Sequence, residues 1–346
     1  MSDPVRMTRK VQQLGSSTLA VTLPAEWARR HGVAKGDEMI VQRDEQGGAL
    51  LVVPDRPDVK EDTAVVDVDS LSAAAVGRAV LVQYVLGRGL VRIESSSPLT
   101  PAQVDAVLDA ERRLMGLGVV EQSERRVTVR CSVAPGDFDL PTLLGRIGRT
   151  EAAMRADALE ALVEGYAGAA RTVDGRHEQV EKLFYLFLRL VFATYRNPHL
   201  NESVGIETGF PLIGYRSVAQ DLVLMARVAH DIAGLVEDGA AADDETADLL
   251  AAVDDALDTA AATTVDAVTA PDYAATEAAR EEFDRVDDAV AALQRRLEAE
   301  RPEPLLALQR ALVLLERTAT HARDSLSVAT RLGFRSDPDL VTTDLS

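Results

Sequence analysis

The sequence predicts a multi-domain chain that runs from a small β-rich unit, through a small α+β middle domain, to an all-α helical bundle. Three observations carry that reading. With 346 residues the chain is longer than one core usually spans, at ~100–200 residues per domain. Between residues 8 and 54 short strand-like segments follow one another, and in TLAVTL apolar and polar side chains alternate with the period of a strand. From Leu140 to about Leu332 the apolar residues recur at helical spacing, and that stretch repeats itself.

In the segment TLAVTL, Leu19, Val21 and Leu23 alternate with Thr18, Ala20 and Thr22, which puts three aliphatic side chains on one strand face. Pro24 opens a short helix to about Arg30, at the first helical position, where its missing N–H costs nothing. Ala34-Lys35-Gly36-Asp37 reads as a turn. EMIVQ and ALLVV follow as strands joined by a hairpin at Gln46-Gly47-Gly48. A unit this short cannot bury enough surface alone, so it is expected to interleave with a second copy as a swapped-hairpin β-barrel, making the protein a homodimer.

Residues 55–62, with Pro57 and several charges, read as a linker, and the middle domain is placed at 58–139. Its pattern is strand (TAVVDVD), helix (Ser72 to Leu86), strand (LVRIES), helix, and a hairpin from VVEQ and RRVTVRCSV. Thr100, Pro101 and Gln103 fit the N-cap, first and third positions of a capping box.

The helical part divides at Asp174-Gly175, at 197–211, at 237–242, at Pro271 and at Pro302/Pro304. Residues 154–181 lie without gaps on 260–287, and ARVA at 226–229 lies on ERTA at 316–319. One insertion, RNPHLNESVGIETGFP, reconciles the two registers. The bundle therefore reads as two three-helix repeats, 140–240 and 241–335, with an acidic, disordered tail at 336–346.

Composition narrows the function. Aromatic residues make up 4% of the chain, too few for a carbohydrate-binding surface of Trp and Tyr. The single cysteine, Cys131, excludes an internal disulfide, a zinc finger and an iron–sulfur cluster. The net charge is −19, and lysine occurs only at Lys10, Lys35, Lys60 and Lys182. Such an acidic, lysine-poor, alanine-rich surface looks like that of proteins from salt-loving archaea. Residues 1–57 stand apart, with slightly more basic than acidic side chains. The greasiest run, LFYLFLRLVFATY, is broken by Arg189 and falls short of the ~20 residues a membrane span needs. It reads as core, and the protein is expected to be cytoplasmic, with no membrane insertion. Neither a phosphate-binding glycine loop, nor an HExxH spacing, nor an activated nucleophile is present, so no enzyme is predicted.

The run RKVQQLGSSTLAVTLPAEWARRHGVAKGDEMIVQ resembles the SpoVT/AbrB-type swapped-hairpin domain. Glu178-Gln179-Val180-Glu181, Asp284-Arg285-Val286-Asp287 and Leu315-Glu316-Arg317-Thr318-Ala319-Thr320-His321-Ala322 resemble the acidic half-repeat segments of PhoU, the phosphate-uptake regulator. The order of these parts is similar to that of archaeal PhoU-like regulators. The resemblance implies a non-enzymatic cytoplasmic regulator that restrains a phosphate ABC transporter or its signalling partner. It also implies a DNA-binding dimer at the N-terminus and, in some relatives, iron or another divalent metal on acidic helix faces. The alternative is an AbrB-type transcription factor whose helical bundle senses a ligand unrelated to phosphate transport.

For DNA the candidates are Arg6, Arg9 and Lys10, joined by Arg29, Arg30 and Lys35, since cations repeated by dimerisation would meet phosphates. For metal they are Glu178, Glu181, Asp284, Asp287 and Glu316; each spacing of three puts two oxygen donors on one helix face. The family pattern adds an acidic residue and an Asp four positions on. Here those places hold Ala226 and His230 in one half, Glu316 and Thr320 in the other. Both ladders have lost a carboxylate, so no cofactor is expected there. His177, His230 and His321 read as hydrogen-bonding residues of amphipathic helices.

Overall fold

The computed structural model describes residues 8–43, 50–55, 63–166, 168, 170–196, 200–206, 210–236 and 239–336. It divides into two compact units, Met1–Val59 and Lys60–Ser346.

The first unit holds β1 (Gln12–Leu14), β2 (Thr18–Ala20), α1 (Ala25–Arg30), β3 (Met39–Arg43) and β4 (Leu50–Pro54). β1 pairs antiparallel with β2, and β3 with β4, as two separate hairpins. Pro24 is the N-cap of α1 rather than its first residue, and β2 covers only the first half of the alternating segment. The turn at 46–48 lies outside the described residues. Among the described residues of this unit no side chain is buried. Leu19 and Leu50 are 71% and 64% exposed, and Leu14, Val21 and Val41 are exposed with them.

The second unit opens with a mixed sheet of β5 (Thr63–Asp67), β6 (Leu90–Glu94), β7 (Leu117–Gln122) and β8 (Arg126–Cys131) in the order β5-β6-β8-β7. β5 and β6 run parallel, as the crossover helix α2 (Ala73–Val85) requires, and the other pairs are antiparallel. The capping box of α3 (Pro101–Arg113) is formed: the Gln103 N–H donates to Thr100 Oγ1 (3.3 Å), and the Thr100 N–H to Gln103 Oε1 (3.0 Å). Val76, Val80, Tyr84, Val91, Ile93, Val107, Val127 and Val129 form a core of their own.

The bundle consists of α4 (Leu140–Glu164), α5 (Ala170–Arg196), the single turn α6 (Leu200–Ser203), α7 (Phe210–Ala233), α8 (Asp244–Thr269), α9 (Tyr273–Ala299) and α10 (Leu305–Ser336). Helices α4, α5 and α7 pack on one another, as do α8, α9 and α10, and the two trios meet through α4 with α8 and α7 with α10. One aliphatic core fills them. The greasy run lies within it, with Leu183, Phe184, Leu186, Phe187, Leu190 and Val191 buried.

The first helix boundary differs from the sequence reading. Asp174-Gly175 lies inside α5, and α4 ends instead at Gly165. A mid-helix glycine costs only ~1 kcal/mol, which burial of Val173 and Val180 outweighs. Gly165 has a φ of +62° and sits 2.7 Å, measured from where a Cβ would be, from the Ala240 backbone, so the chain turns where only glycine fits.

Candidate functional site

The cations of the first unit stand on short, exposed elements. Arg9 and Lys10 precede β1, Arg29 and Arg30 close α1, and Lys35 lies in the turn before β3; all five are exposed. That turn is fixed by the Asp37 carboxylate, which accepts the Ala34 N–H at 2.9 Å. Gly36, at a φ of +102°, supplies the reversal. Arg6, Asp44 and Glu45 lie outside the described residues.

On α5, Glu178 is exposed and Glu181 half-buried, one turn apart on one face. Glu181 accepts from Arg113 Nη2 of α3 at 2.8 Å, so a guanidinium of the middle domain stands where a cation would. One turn back, Asp174 meets His230 Nε2 of α7 at 3.1 Å. The His230 ring lies 5.1 Å from that of His177, whose pKa burial pulls down. Ala226, in the place of the ladder's first carboxylate, is fully buried among apolar neighbours.

In the second repeat Asp284 and Glu316 are exposed on α9 and α10. Asp287 pairs with Arg323 of α10, whose guanidinium also lies 5.1 Å over the Phe283 ring. An exposed pair of this kind contributes at most about 1 kcal/mol. Among the described residues, one group of three metal-ligating side chains has its ligand atoms within 4.8 Å of one another, and it contains none of the five predicted carboxylates.

That group is Asp221 of α7 with His321 and Asp324 of α10. Burial pushes the Asp221 carboxyl up to about 6, against the hydrogen bond from Ser325 Oγ (3.2 Å). Burial likewise lowers the His321 pKa, with Arg317 adding to it. The visible signal was Asp221 itself, a carboxylate between Val218, Ala219, Leu222 and Val223, all of them buried.

Three other buried charges were also not anticipated. Arg155 and Glu151, each 1% exposed, pair on α4 at 3.3 Å, and Arg155 reaches the backbone and carboxylate of Asp254 on α8. Burial pushes the Glu151 carboxyl up despite that pairing. Arg189 of α5 is 4% exposed. Its Nη1 donates to the carbonyls of Tyr84 (2.8 Å) and Arg88 (3.0 Å) at the end of α2, and its guanidinium lies 5.0 Å over the Tyr84 ring. With Arg113 and with Tyr185, which packs against both cores, it docks the middle domain on the bundle.

Residues 12–60 match the MazE family, described as antidote-toxin recognition MazE, bacterial antitoxin. The N-terminal unit is thus a MazE/AbrB-like domain. That match covers a small part of the chain. No curated protein matches the chain. Among solved structures it is similar to the crystal structure of PhoU from Pseudomonas aeruginosa, at 17% identity and a TM-score of 0.41, over 57% of this chain and 96% of that one. A likeness so loose carries no argument about what this chain does. None of the helices among the described residues is long and apolar enough to cross a membrane.

Proposed function

We propose that the protein is a dimeric, non-enzymatic regulator of phosphate uptake, cytoplasmic, which binds DNA through its paired N-terminal units. The observation that carries the reading is the bare first unit. Two hairpins expose Leu14, Leu19, Val21, Val41 and Leu50 and bury nothing among the described residues. Burying an aliphatic side chain of that size stabilises by about 1.5–3 kcal/mol, so five left in water favour association with a surface of the same kind. A second copy supplies such a surface by symmetry.

Pairing would double the cations Arg9, Lys10, Arg29, Arg30 and Lys35, and phosphate contacts of that kind set register and most non-specific affinity. The test is binding of the whole chain to DNA from its own promoter over a salt titration. Replacing Arg9 and Lys10 by alanine is expected to weaken binding and flatten the salt slope by about one per lost contact. Binding unchanged across the titration would leave the unit a dimerisation device.

The phosphate role is supported by the acidic half-repeat segments and by two trios of helices that pack in the same pairwise way. Cells lacking the protein are then expected to take up phosphate faster in phosphate-rich medium. Uptake equal to that of the parent would favour the second reading, a transcription factor with no role at a transporter. One observation favours that reading: carboxylates are missing from both ladders, at Ala226 and His230 in the first and at Thr320 in the second.

A further inference from the structure

The junction between the two helical trios holds a side-chain set that neither ladder explains. His321 and Asp324 lie three residues apart on one face of α10, and Asp221 faces them from α7. Asp221 and His321 are half-buried, and Asp324 is exposed. His321 Nε2 is buried and has no hydrogen-bond partner. A buried polar atom left unpaired costs about 1–3 kcal/mol, so natural structures seldom keep one without a ligand or a water to satisfy it. Ser325 Oγ, from the same helix, occupies one oxygen of Asp221 at 3.2 Å and fixes that carboxylate from behind, as outer partners of metal ligands do.

The set occurs once, although the bundle is a repeat. In the register that lays 226–229 on 316–319, Asp221 falls on Ala311, while His321 and Asp324 fall on Asp231 and Gly234. Repetition of an ancestral acidic face therefore does not account for it. It belongs to the contact between the third helices of the two trios.

We propose that Asp221, His321 and Asp324 bind one divalent transition-metal ion of the Zn²⁺ class across the junction of the two repeats. One imidazole nitrogen with two carboxylates is a borderline donor set, which favours such ions over Mg²⁺ and Ca²⁺, whose ligands are oxygens. Two carboxylates also neutralise a dication. A tetrahedral Zn²⁺ with bonds of about 2.0–2.2 Å sets its donors roughly 3.4 Å apart, so atoms now within 4.8 Å close by little more than about 1 Å. Rotation of the exposed Asp324 side chain supplies that closure, and water completes the shell. Bound there, the ion ties α7 to α10 and so the first trio to the second.

The test uses the whole chain, stripped with chelator, titrated with Zn²⁺ against a colorimetric competitor and melted with and without Zn²⁺. The expected result is one tight Zn²⁺ per chain, weakened at least about tenfold by His321→Ala and by Asp324→Asn. Asp288→Asn, an exposed carboxylate on α9, should leave it unchanged. Zn²⁺ should raise the melting temperature of the parent and not of His321→Ala. Since Asp324 is exposed, its variant reports on binding even where His321→Ala folds poorly. No uptake up to about 1 mM overturns the proposal. So does uptake in both variants equal to the parent's, or uptake lost in Glu178→Gln/Glu181→Gln while His321→Ala keeps it.

Discussion

Replacing Arg189 by Met tests how firmly the middle domain is held. Methionine keeps the unbranched apolar stem but removes the guanidinium that donates to the Tyr84 and Arg88 carbonyls at 2.8 and 3.0 Å. Each charge-assisted bond contributes about 1.5–3 kcal/mol, and the cation over the Tyr84 ring about 1 more. Two effects reduce the loss. Tyr84 O keeps the Gly87 N–H at 2.9 Å, and relief from burying a guanidinium returns a few kcal/mol. The net expectation is about 2–3 kcal/mol. Urea unfolding of the whole chain would read it, and hydrogen exchange would place it, with α2 and β6 losing protection first. Arg189→Lys should fall between, because a point charge cannot span both carbonyls as the planar fork does. A change below about 0.5 kcal/mol, or loss of protection confined to the bundle, would refute the docking role.

Arg155→Met should cost about 3–5 kcal/mol by leaving Glu151 buried and unpaired, and its melting temperature should depend on pH. A carboxyl whose folded pKa lies above the unfolded value stabilises below about pH 4.3 and loses that contribution as pH rises through the folded pKa. The variant should therefore melt progressively lower relative to the parent as pH rises above about 4.3; parallel profiles would contradict the pairing. Gly165→Ala, which meets both positive φ and backbone at 2.7 Å, should cost about 2 kcal/mol or more in a thermal melt, whereas Gly175→Ala, in open space within α5, should be neutral or stabilising.

The fold was legible where local chemistry decides it. The capping box at Thr100, the prolines between helices and the short apolar runs of β3 and β4 each state their element within a few residues. The end of α4 was not, because Asp174-Gly175 is the stronger local breaker and only the packing of α5 overrides it. The acidic pairs were readable as helix faces, but their partners were not. Arg113 reaches Glu181 from a different domain, and Arg323 reaches Asp287 from the next helix. Arg189 was visible as a charge interrupting an apolar run, yet its partners at the end of α2 lie about a hundred residues earlier in the chain. The group at Asp221 depends on α7 crossing α10, which no spacing along one helix discloses.

The central claim is that the bare N-terminal unit is half of a shared fold. Sedimentation equilibrium of the whole chain, beside a chain beginning at residue 63, tests it most directly. The whole chain should weigh twice its 37.2 kDa at micromolar concentration, and Leu19→Asp/Val41→Asp should bring it to the single mass. The shortened chain, which retains both aliphatic cores, should be folded and monomeric. A whole chain of single mass, or a shortened chain that keeps the mass of a dimer, would contradict the account.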